Sequence, residues 1–147
     1  YAGGINLYAY CSNNPINAND PFVLDTYYVN YELITSNHKP TQGVVSHSYP
    51  VLTDNGIVTD TFSYGNKSQG KWFHNDPQDM RIAQEAINSR VGATWQGNES
   101  LDPYVVSEYE KVKDSKSLYF IFVNDCKVNG IELIKEAKKA KEEKCKK

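Results

Sequence analysis

Two runs rich in β-branched and apolar residues, 44–52 and 57–64, flank Asp54-Asn55-Gly56. An Asn-Gly pair in that place constrains the fold more than any other feature of the chain. Both central residues of a two-residue hairpin turn need φ > 0, and Asn and Gly adopt it most readily. The pair therefore predicts an antiparallel hairpin. Counting outward from the turn puts His47 opposite Tyr64, with Phe62 and Asp60 on the same face. Pro50 has no N–H to give a ladder, so the first arm is expected at a sheet edge, or bulged there.

Other segments extend this to a fold class. Residues 22–34 alternate, and the set containing Val23, Tyr27, Val29, Tyr31 and Leu33 is the more apolar, as in a half-buried strand. Residues 37–43 and 65–75 read as loops, the second holding Trp72 and His74. Asp76-Pro77 and Asp102-Pro103 each look like an N-cap followed by Pro at the first helical position. The first helix carries Met80, Ala83, Ala86 and Ile87 on one face and is expected to stop near Gly92; the second carries Val105, Val106, Tyr109 and Val112. Residues 118–123 are six β-formers in a row and read as a buried central strand. A helix from about Cys126 follows, with Val128, Ile131, Ile134 and Ala137 expected to face the sheet and a Lys/Glu-rich end expected to be dispensable. The expectation is an α+β domain, a small and mainly antiparallel sheet with about three helices packed on it.

The chain has 147 residues, enough for one compact domain. No apolar run reaches the roughly 18 residues that a membrane-spanning helix needs. A net charge of −2 gives no general drive onto nucleic acid. Residues 126–147 hold eight lysines and four glutamates, read as a solvated helix face that is also able to meet phosphate or an acidic partner. Cys11, Cys126 and Cys145 lack metal-type spacing, and their odd number argues against a disulfide framework and for a reduced compartment or one special thiol. No secretion signal opens this segment, so export is expected to be encoded elsewhere in a longer chain.

Residues 1–22 break from this pattern. Gly4-Ile5-Asn6-Leu7-Tyr8-Ala9-Tyr10, then Ser12-Asn13-Asn14-Pro15-Ile16-Asn17, then Asp20-Pro21, closely resemble the closing motif of the Rhs/YD-repeat core, the wall-associated-protein type. The resemblance covers residues 1–24. It implies that 1–22 end a large β-cocoon and that 23–147 are a variable C-terminal toxin domain. It further implies a secreted or cell-surface protein whose tip is delivered into a competing cell, with its own Rhs core and a cognate immunity protein as partners. Such cores often cleave themselves near the end of the motif; Val23 stands where the family has Gly, which puts cleavage here in doubt.

The junction Asn124-Asp125-Cys126 carries the most chemistry. A cysteine in the first turn of a helix sits among unpaired N–H groups, which favour a thiolate and can stabilise an oxyanion beside it. The plainer role is a small buried packing residue. A thiol nucleophile needs a base. His47 lies in a strand, which holds a ring more rigidly than the loops of His38 and His74. Asp60, Ser63, Tyr64 or Asn66 are open as the group orienting it, with Asp60 and Asn66 preferred. A histidine strand, then helices, then a strand–Cys–helix unit resembles circularly permuted papain-like hydrolases and acyltransferases. That likeness implies Cys126 as nucleophile, His47 as base and a backbone amide near Cys126 as oxyanion hole. The substrate class is an amide or ester on a protein, peptidoglycan or lipid. No metal motif, phosphate loop or cofactor motif is present. A metal-independent nuclease built from His47, His74, Lys71 and Arg81 is the alternative, with nucleic acid as its partner. A non-enzymatic binding tip is the third.

Overall fold

The computed structural model describes residues 24–32, 39–41, 46–66, 70–98, 100–115 and 125–146. In chain order these form β1 (Leu24–Glu32), β2 (Ser46–Asp54), β3 (Ile57–Asn66), β4 (Gly70–His74), α1 (Pro77–Ser89), β5 (Ala93–Asn98), α2 (Asp102–Val112) and α3 (Cys126–Cys145). The strands make one five-stranded sheet in the order β4-β3-β2-β1-β5, every neighbouring pair antiparallel. The fold class is α+β. Residues 1–23, His38 and the apolar run 118–123 lie outside the described residues, as do the expectations attached to them. Among the described residues no helix is long and apolar enough to cross a membrane.

The hairpin forms at the expected turn. Asn55 has φ 52° and Gly56 φ 76°, and Asp54 pairs with Ile57. A bulge then shifts the register between Leu52 and Thr53, so that Leu52 faces Asp60 and Val51 faces Thr61. This corrects the pairing of His47 with Tyr64. The β2–β3 ladder runs only as far as Val51, and from Phe62 onward β3 pairs with β4 instead. Beyond Val51 the two strands part. Pro50 is the next residue of β2, and it pairs with Tyr28 of β1 on the other side. β2 is thus an inner strand rather than an edge, and the missing N–H falls where one ladder has already ended.

Helices cover both faces. On one, α1 packs Ile82, Ala83 and Ala86 against Val29, Tyr31, Tyr49, Val51 and Val58. On the other, α2 and α3 bring Leu101, Val105, Tyr109, Leu133, Ile134 and Ala137 to Tyr28, Leu52, Phe62, Tyr64 and Trp72. Each large apolar side chain buried this way contributes about 1.5–3 kcal/mol. β1 therefore buries Thr26 and Tyr28 as well as Val29 and Tyr31, which corrects the one-sided reading of its alternation. Residues 70–74 form an edge strand rather than a loop, with Lys71 out and Trp72 in. β5 is the other edge, and its exposed Trp95 and Gly97 hide it from a search for apolar runs.

The helix starts differ. Asp76 caps α1, accepting from the N–H groups of Gln78 and Asp79, and Arg90 ends the helix in the left-handed region. Asp102 does not cap α2; it turns to the sheet and accepts from the Thr26 hydroxyl at 2.6 Å. Asp125 caps α3, accepting from Val128 N–H at 3.0 Å. The buried face of α3 is Cys126, Gly130, Leu133, Ile134 and Ala137. Val128 and Ile131, expected inside, are 42% and 47% exposed. The reason is Gly130, which lets the helix lie close on the sheet: a Cβ there would stand 3.0 Å from the Tyr28 ring and 3.2 Å from Pro50. The helix rotates to present that small residue.

Candidate active site

At the open end of β2 two helix N-termini converge, α1 from one face and α3 from the other. On the α1 side His47 points at Asp79, with Nε2 3.9 Å from Oδ1. Asp79 is fixed from both ends: its carboxylate accepts from the Ser63 hydroxyl at 2.6 Å, and its carbonyl accepts from the Tyr49 hydroxyl at 2.8 Å. The cluster fills the wedge where β2 and β3 have separated. The Tyr31 and Tyr49 rings flank the imidazole at 5.1 and 5.4 Å. Burial lowers the His47 pKa to about 4, against the pull of the Asp76 and Asp125 carboxylates. Burial raises Asp79 to about 6, with the Ser63 hydrogen bond acting the other way. At neutral pH the pair is therefore a neutral imidazole beside an ionised carboxylate.

On the α3 side Cys126 is the first helical residue and is 2% exposed. Its thiol points to the Ser46 carbonyl oxygen at 4.0 Å, one residue from His47 in β2. The turn that carries it is held firmly. The Tyr28 hydroxyl donates to the Lys127 carbonyl at 2.9 Å, and the Asn129 amide donates to the Asp125 carbonyl at 2.8 Å. The Ser48 hydroxyl donates to the Asn30 side chain nearby. Cys126 is in no disulfide, whereas Cys145 is disulfide-bonded, its partner lying outside the described residues.

The other sequence candidates sit elsewhere. Asp60 faces Leu52, five residues from His47, about 16 Å along the strand. It accepts instead from His74, Nε2 to Oδ1 2.8 Å, in a solvent-facing pair whose imidazole stacks on Phe62 at 5.0 Å. Asn66 ends β3 opposite Gly70. Ser63 joins the His47 cluster through Asp79, and Tyr64 packs in the opposite core beside Trp72. The four basic residues of the nuclease reading have separate partners: His47 with Asp79, His74 with Asp60, Lys71 over the Phe73 ring, and Arg81 with Glu85. Asp79 is the residue that the sequence did not single out. In the sequence it looks like an ordinary first-turn acid, and its burial depends on strands separating far from it in the chain.

Compared with known proteins, the chain matches no family model, no curated protein and no solved structure.

Proposed function

We propose that residues 23–147 are the C-terminal toxin domain of an Rhs-type polymorphic toxin and act as a thiol-dependent hydrolase or acyltransferase on an amide or ester, with the logic of a permuted papain-like enzyme. The Rhs-like motif of residues 1–24 supports the context. The observation that carries the chemistry is the Cys126 thiol at the Ser46 carbonyl, which brings the helix-start cysteine to the strand end where His47 faces Asp79. In this reading His47 is the base that takes the thiol proton, and Asp79, 3.9 Å from its Nε2, orients the ring and stabilises the imidazolium. The thiolate adds to the carbonyl carbon, and the backbone at the start of α3, with the positive end of the helix dipole, stabilises the oxyanion. Collapse expels the amine or alcohol, which takes the proton from His47. Water or an acceptor then attacks the acyl-cysteine. The toxin's partners would be its Rhs core and a cognate immunity protein.

The test is toxicity on expression in the cytoplasm, and separately in the periplasm, of a bacterium lacking the immunity protein. Cys126→Ala and His47→Ala should each remove most of it, and the double change should cost little more, because the two act as one unit. Full toxicity of folded Cys126→Ala protein overturns the thiol mechanism. A second reading, a metal-independent nuclease, is favoured by one observation, the solvent-facing His74–Asp60 pair at 2.8 Å. It predicts that His74→Ala, rather than Cys126→Ala, spares the cell and stops nucleic-acid breakdown.

A further inference from the structure

A cleft of about 400 Å³ lies far from the wedge, between β5, the start of α2 and the last turns of α3. Its charges differ from those on the rest of α3. Lys135 and Lys139 lie 3.6 and 3.8 Å from the carboxylates of Glu132 and Glu136 one turn earlier. Lys138 and Lys141 instead donate to neutral acceptors, the Gln96 amide oxygen at 3.0 Å and the Ser100 hydroxyl. Lys141 is partly buried, and that burial lowers its pKa, as expected for an ammonium drawn from water without a carboxylate beside it. Lys146 and Glu142 complete the charged lining among the described residues, whose three cations and one anion sum to +2. Its remaining described wall is Leu101, Gly97 and the disulfide-bonded Cys145.

We propose that this cleft binds a small phosphomonoester, its dianionic phosphate held by Lys138 and Lys141 and its organic part against Leu101. The volume suits a small molecule. Lysine acts as a point charge for phosphate, and the amide of Gln96 and the hydroxyl of Ser100 add polar contacts that each ammonium already orients. An acidic protein side chain would bring a single negative charge and leave the +2 cleft half neutralised.

Titration of the full chain with phenyl phosphate and with inorganic phosphate, followed by calorimetry, tests this. Phenyl phosphate should bind about tenfold tighter than inorganic phosphate, because its ring reaches the apolar wall. Lys141→Gln and Lys138→Gln should each weaken binding by about tenfold or more, and Glu142→Gln should tighten it. Lys135→Gln, a change on the same helix outside the cleft, should leave it unaltered. Failure of both phosphates to bind at about 10 mM overturns the proposal, as does an equal loss in Lys135→Gln, which would mean diffuse helix charge.

Discussion

His47 and Asp79 sit 3.9 Å apart, and burial moves their pKa values in opposite directions. The unfolded-state values are 6.5 and 3.8, the folded ones about 4 and about 6. A raised carboxyl pKa stabilises the fold at low pH, and that contribution is lost as pH rises from about 4 to about 6. A lowered imidazole pKa acts oppositely: its contribution is full above 6.5 and lost as pH falls towards 4. Each amounts to about 3 kcal/mol, so the pair nearly cancels across one window. Asp79→Asn should therefore leave stability rising with pH between about 4 and 6.5, and His47→Gln should leave it falling, as read by urea melts across that range. Two slopes of the same sign would refute these opposed burial shifts. Thr61 makes a simpler case: its hydroxyl is buried without a hydrogen-bond partner. Thr61→Val keeps the shape and removes an unsatisfied polar group, so its melting temperature should equal or exceed that of the parent.

Among the elements, α3 shows what a sequence pattern can and cannot give. Asn-Gly, Asp76-Pro77 and Asp125 announced a turn and two helix starts correctly, because each acts on its own neighbours through φ or a local N–H. The buried face of α3 depended on Gly130 meeting Tyr28 and Pro50, residues about 80 to 100 positions away, and apolar spacing alone put Val128 and Ile131 inside. The same limit hid Asp79, and a single bulge between Leu52 and Thr53 moved Asp60 from opposite Val51 to opposite Leu52, on the other face of the sheet from His47. Ile131→Asp should accordingly cost no more than about 0.5 kcal/mol, whereas Leu133→Asp buries an unpaired carboxylate and should cost several kcal/mol. The last turns of α3 are also more than a solvated end. Truncation after Lys141 removes Cys145 and its disulfide, so the melting temperature should fall by the equivalent of about 2–4 kcal/mol. Adding a reductant to both proteins should close most of that gap.

At the scale of the molecule, β1 is the strand on which the domain hangs. It hydrogen-bonds β2 on one side and β5 on the other, and helices cover both its faces. Any process that draws this domain through a narrow pore must pull from one end. Traction applied at residue 24 meets β1 first and must shear its ladders to β2 and β5 together. Traction from the C-terminal side meets α3, which pairs with no strand and can detach turn by turn against side-chain packing and side-chain hydrogen bonds, once the Cys145 disulfide is reduced. Forced unfolding is governed by the barrier met under load rather than by the equilibrium free energy. The domain therefore has a hard direction and a soft one, and optical-trap extension from residue 24 should need greater force than extension of the reduced protein from residue 146.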